Sequence, residues 1–175
     1  MAPTSLYYEG NGNFICSDRL LLVDNYDIYP KVYRISVNGT ASFVSKHNYE
    51  LDGLYPTSLF TYNGETWATG VPYYPLGFIT KYDINTASFN LEIGGDIVIN
   101  NIPNVTMSKV WYILSAINVD GKIYCNMFVN DKTQYDNQTF LQCIGILNME
   151  TFEAEYLYSV PYSTEYLYTN IIDKK

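Results

Sequence analysis

A phrase written three times limits what this chain can fold into more than any other property. Pro3-Thr4-Ser5-Leu6 returns as Pro56-Thr57-Ser58-Leu59, and each leads within a few residues to a glycine turn and a β-rich run. After the turns come Gly12-Asn13-Phe14-Ile15-Cys16-Ser17, Gly64-Glu65-Thr66-Trp67-Ala68-Thr69 and Gly121-Lys122-Ile123-Tyr124-Cys125-Asn126, three copies of one strand. Farther on, Val37-Asn38-Gly39-Thr40-Ala41-Ser42-Phe43 matches Ile84-Asn85-Thr86-Ala87-Ser88-Phe89 and, more loosely, Leu147-Asn148-Met149-Glu150-Thr151-Phe152. Self-similarity at such a period is the mark of a repeat architecture, in which each unit buries its faces against the next.

Ser5, Ser58 and Ser115 fall at equivalent places, 53 and 57 residues apart, and Ser163 lies 48 further on. The chain therefore reads as one domain with repeats over about 3–54, 55–109 and 110–160. A partial fourth repeat over 161–175 has room for a single strand, Tyr166 to Ile171. Apolar residues alternate or run in short blocks between Gly, Pro and Asn, with no helical period. The class is all-β, with four antiparallel strands per copy. The first strand turns back at Asn63-Gly64 or Asp120-Gly121, pairs that accept the positive φ of a tight hairpin. Glu9 to Gly12 reads as a version one residue longer. Second strands run about 14–23, 65–70 and 122–129, and third strands about 31–37, 77–84 and 139–147. Fourth strands end near Ser45, Ile93 and Tyr158. Gly94-Gly95 reads as a turn signal opening a connection that runs to Asn104.

The passage Gly77-Phe78-Ile79-Thr80-Lys81-Tyr82-Asp83-Ile84-Asn85-Thr86-Ala87-Ser88-Phe89 resembles the third-strand, turn, fourth-strand segment of kelch-like and quinoprotein-like β-propeller blades. The resemblance covers most of the second copy and parts of the other two. It implies a β-propeller-like stack of sheets; the alternative is a β-trefoil, whose closed barrel uses three four-stranded repeats. Three blades are too few to close a ring. The expectation is a partner for the open ends, in the simplest case a homodimer of two half-rings.

Composition removes several function classes. Eighteen acids against ten Lys and Arg leave a net charge of −8, the wrong sign for neutralising phosphates, so no nucleic-acid partner is expected. No apolar run approaches the ~20 residues that cross a bilayer, and no signal peptide is visible at the N-terminus. The expectation is a soluble chain without membrane insertion. Nineteen tyrosines stand out. Tyrosine is a favoured contact residue, although an AT-rich gene and ordinary strand preference also enrich it.

In a propeller-like stack the tight turns share one end. The long second-to-third-strand loops share the other, where function tends to sit. Those loops carry the candidate ligand-binding residues: Tyr26, Asp27 and Tyr29 in the first copy, Tyr73 and Tyr74 in the second, and Tyr135 and Asp136 in the third. Aromatic rings beside acids and amides suit sugar faces or the anchors of a protein interface. Catalytic residues, metal ligands and cofactors are expected to be absent. His47 is the sole histidine, and the acids near Asp24 to Asp27 and Asn130 to Asn137 lack a defined calcium spacing. Three cysteines lean toward a reducing compartment, and a hairpin centred between Val129 and Thr139 would set Cys125 opposite Cys143. Sequons at Asn38, Asn104 and Asn137 matter only in a secreted protein. The functional expectation is a non-catalytic module that binds a protein or glycan through its long-loop face within an oligomer. The alternatives are a structural component of a virion or cell-surface particle, and a carbohydrate-active enzyme.

Overall fold

The computed structural model describes residues 3–19, 30–46, 55–71, 77–103, 108–131 and 139–161, and all regular structure in them is strand. The first sheet is a meander of β1 (Pro3–Gly10), β2 (Asn13–Arg19), β3 (Pro30–Ser36) and β4 (Ala41–Lys46). The second repeats the order with β5 (Tyr55–Tyr62), β6 (Glu65–Val71), β7 (Phe78–Asp83) and β8 (Ser88–Asp96). A short β9 (Val98–Asn100) precedes the third, built from β10 (Ser108–Val119), β11 (Lys122–Asp131), β12 (Thr139–Leu147) and β13 (Glu153–Pro161). The segment expected to hold the partial fourth repeat after Pro161 lies outside the described residues.

Local chemistry fixes the tight ends. Asn63 and Gly64 sit at φ 50° and 76°, and Asp120 and Gly121 at 51° and 82°. These values suit the primed turns that follow strand twist. The first sheet uses the same two-residue turn, Asn11-Gly12 at φ 51° and 75°, and the extra residue becomes a bulge between Tyr8 and Gly10. A bulge also recurs beside each repeated serine, where Thr4, Thr57 and Leu114 are skipped in pairing the first strand with the second. The repeated phrase therefore encodes a backbone irregularity as well as a strand.

Period two then assigns side chains to two cores. In the second sheet, Leu59, Ala68 and Phe78 join Ile15 and Val32 of the first sheet in one cluster, while their chain neighbours Phe60, Trp67 and Ile79 join Ile113, Cys125 and Met127 of the third in another. Adjacent residues of a strand point to opposite faces, so the middle sheet is buried on both sides. First strands pack beside first strands, β1 against β5 and β5 against β10.

Polar atoms span both seams. Ser45 Oγ donates to Ile84 O across the first at 2.6 Å. Across the second, Ser58 Oγ donates to Ala116 O at 3.1 Å and accepts from Ala116 N–H at 3.0 Å. Asn118 Nδ2 donates to Thr61 O at 2.6 Å one pair further along.

Two sequence expectations are corrected. Gly94 and Gly95 are not a turn: they lie within β8, where a Cβ on Gly94 would collide with Ile79 O and one on Gly95 would come 2.8 Å from the Phe152 ring. Here glycine allows close approach of backbone and ring rather than reversal of the chain. The connection beyond them then contributes β9, which runs parallel to β13 with Val98 opposite Glu153 and meets β10 at the single pair Lys109–Val98. The second correction concerns Cys125, which stands opposite Gly145, and Cys143, which stands opposite Met127. The β11–β12 hairpin is centred one residue beyond the expected point, which shifts each cross-strand partner by two, so the two thiols are not cross-strand partners.

Replacing Ser58 by alanine leaves the Ala116 N–H and carbonyl unpaired in a buried seam. The expected cost is about 1–3 kcal/mol, read as a lower urea midpoint at unchanged slope.

Candidate interaction surfaces

The register places the connections. Asn13 pairs with Ser36, and Val37 N donates to Gly12 O at 2.9 Å, so the first-to-second and third-to-fourth turns of a sheet lie at one end. The wider gaps, from Arg19 to Pro30, from Val71 to Phe78 and from Asp131 to Thr139, leave the three sheets at the other end. First strands pack beside first strands, and Ser58–Ala116 and Thr61–Asn118 run the same way along β5 and β10, so the strand ends that border the gaps of the second and third sheets lie at the same end. Tyr26, Asp27, Tyr29, Tyr73, Tyr74, Tyr135 and Asp136 all fall in them and lie outside the described residues, as do His47, Asn104 and Asn137.

The turn end carries features that the sequence reading passed over. One open depression of about 810 Å³ lies beside the β7–β8 turn and is lined by Glu65, Lys81, Asp83, Asn85, Asn90 and Glu92, among others. Lys81 Nζ bonds Glu65 Oε1 at 2.6 Å and stands 6.0 Å above the Trp67 ring. A second depression, about 610 Å³, is lined by Tyr62, Asn101, Lys122, Asn148, Glu150 and Glu153, among others. The signal for both was available as acids flanking each turn. Their chemistry is that of solvated carboxylates: among the described residues no group of three or more His, Cys, Asp and Glu could hold a metal ion.

Asparagine and aspartate side chains at the turn end are spent on backbone. Asp83 Oδ1 accepts from Asn85 N at 2.8 Å, Asn148 Oδ1 from Glu150 N at 2.8 Å, and Asn38 Oδ1 from Thr40 N at 3.0 Å. These are local turn-capping bonds. The one sequon asparagine within the described residues, Asn38, is thus exposed yet already engaged through its amide oxygen. Nearby, Arg34 donates to both Glu9 oxygens at 2.6 and 2.7 Å. That pair holds the Glu9 carboxyl below its ordinary value and the Arg34 guanidinium above its own.

The thiols are inert by burial. Cys16, Cys125 and Cys143 are buried and form no disulfide; burial pushes the Cys125 thiol up to about 12 and the Cys143 thiol to about 11. Neither is a nucleophile near neutral pH, since the thiolate is the reactive form.

A raised thiol value in the folded state means that the unfolded chain loses its protons first. Stability from these groups is therefore intact below the ordinary thiol value of about 9 and falls as pH rises from there toward 11 to 12. Chemical denaturation across that range should show the decline, with slow labelling of the native thiols at pH 7 and three labelled per denatured chain. A comparison of this chain with protein-family models and with curated proteins finds no match.

Proposed function

We propose that the chain is a non-catalytic interaction module of propeller-like architecture whose long-loop end binds a protein or glycan. The observation that carries this reading is the common exit of the three wide connections. Gaps of ten, six and seven residues leave three stacked sheets at one end, while the opposite end is closed by short turns. The tyrosine-rich and acid-rich segments of the sequence fall in those gaps. Rigid strands that present variable loops side by side are a common basis for recognition surfaces. Stacking of separate sheets with first strand against first strand favours the propeller-like reading over a trefoil, in which all repeats share one barrel.

A second reading, a structural subunit of a larger assembly, draws on a different observation. Both ends of the stack leave large apolar side chains exposed, among them Leu6, Tyr8, Phe43 and Tyr158.

The test of the binding reading is a screen of immobilised glycans and candidate proteins, followed by titration of any ligand against Tyr73→Ala with Tyr74→Ala. The double variant is expected to lose at least about 2 kcal/mol of binding, on the order of thirtyfold in Kd, with an unchanged thermal unfolding transition. Unchanged affinity would remove the long-loop end from the interaction.

A further inference from the structure

Each internal seam has two halves, and the stack ends at either side with one half that no other sheet of the described residues covers. The half contributed by the earlier sheet is the face that carries Ser58; the half contributed by the later sheet carries the residue after its own repeated serine. In the second seam Ser58 Oγ reaches the backbone of Ala116, which is 5% exposed. In the first, Leu59 is the corresponding later-sheet residue and is 3% exposed.

Carried one step backward, the pattern makes Leu6 the corresponding residue of the first sheet. Tyr7 packs into the core shared with the second sheet, so Leu6 and Tyr8 point the other way. They are 65% and 55% exposed. Leu6 stands in register with Cys16, Tyr33 and Phe43, which places Phe43, 59% exposed, on the same face. The first sheet thus presents an apolar face with the register of a seam and no sheet of the described residues against it.

Carried one step forward, the pattern makes Ser115 the equivalent of Ser58. Its neighbour Ala116 lies in the core toward the second sheet, so Ser115 points away from it. Ser115 Oγ is buried and has no hydrogen-bond partner among the described residues. On its face lie Ile144 and Tyr158, in line with it through Asn126, and beside them Ile117, Tyr124 and Ile146. Tyr158 is 60% exposed. A buried hydroxyl without a partner costs free energy that a bonded one does not.

We infer that these two faces are complementary halves of one interface and that the occupant of each is a second copy of this chain. Joined head to tail, Ser115 of one copy meets the backbone of Leu6 of the other as Ser58 meets Ala116. The chain's own pair of seams is the argument for the occupant, since the same halves already join twice within each molecule. A head-to-tail contact either closes a ring or grows a fibre. With three sheets per chain, and rings of roughly four to eight units, two copies are the only whole number that closes. The inference rests on the propeller-like stacking proposed above and is independent of ligand binding at the loops, so a chain without a ligand can still pair.

The experiment is light scattering and sedimentation over a concentration series, on the full chain without ligand. The expected species is a dimer at twice the 20.1 kDa chain mass. Leu6→Glu with Phe43→Glu blocks one half, and Ser115→Arg blocks the other; each variant alone should be a monomer with the far-ultraviolet circular dichroism of the parent. Mixed in equal amounts, the two should recover a dimer, because one intact interface remains between unlike copies. Ser115→Ala, which removes only the hydroxyl, should raise the dimer dissociation constant on the order of tenfold while leaving the monomer at least as stable as the parent, since the unpaired buried hydroxyl is gone. A wild-type chain that stays monomeric at all concentrations overturns the inference, as does either blocked variant that dimerises alone through its free half. A monomer that becomes a dimer on removal of residues 162–175 would assign the Ser115 face to the chain's own C-terminal segment and would overturn it too.

Discussion

Everything in this molecule depends on the seam between first strands. The exposed edge of a first strand would leave its backbone N–H and carbonyl groups bare, and close packing of two such edges is tolerable only if those groups find partners. A serine hydroxyl, which both donates and accepts, satisfies one residue's N–H and carbonyl together, as Ser58 does for Ala116. With that distance fixed, the alternating side chains of the middle sheet fall into two cores without further specification. The bulge beside each repeated serine belongs to the same device, because it shifts the strand at the point where the hydroxyl must turn toward the next sheet.

The unusual asparagine content has a structural use that needs no ligand. Asn38, Asn90, Asn118 and Asn148 each turn a side-chain oxygen back onto backbone within a few residues. Short polar side chains of this kind hold turns that would otherwise rely on glycine. The turn side of the sheets is therefore held by local side-chain-to-backbone bonds, and the sequence places its longer and more variable connections between second and third strands.

How much was legible in the sequence follows from how locally each feature is determined. Asn63-Gly64 and Asp120-Gly121 pin their hairpins through backbone chemistry, and the strands on either side were placed to within a few residues. The β11–β12 hairpin has no such pin, since its wide connection fixes neither turn type nor register, and the Cys125–Cys143 alignment failed by two residues for that reason. Gly94 and Gly95 misled because glycine marks both reversal and close approach, and only the position of the Ile79 carbonyl and the Phe152 ring decides between them. Leu6 and Leu59 occupy the same place in the same phrase, yet one is exposed and the other buried. That difference lies in whether a neighbouring sheet exists, which no pattern within the phrase encodes. The tyrosines and acids of the wide connections are legible only as composition, because a loop's side-chain arrangement is set by contacts that no local pattern encodes.

The strand β9 has a consequence for the order in which the molecule comes together. Every four-stranded meander is made of pairings between neighbours in sequence, which form early and with little loss of chain entropy. The pairing of Val98 with Glu153 is different, because 55 residues separate the two. As the chain emerges from the ribosome, the first two sheets can form and meet while residues 98–100 still have no edge to join. Val98 can meet Lys109 once β10 has emerged, but the parallel pairing with β13 closes only after the last described strand has been made. A nascent chain therefore holds this joint by part of its bonds until its third sheet is complete.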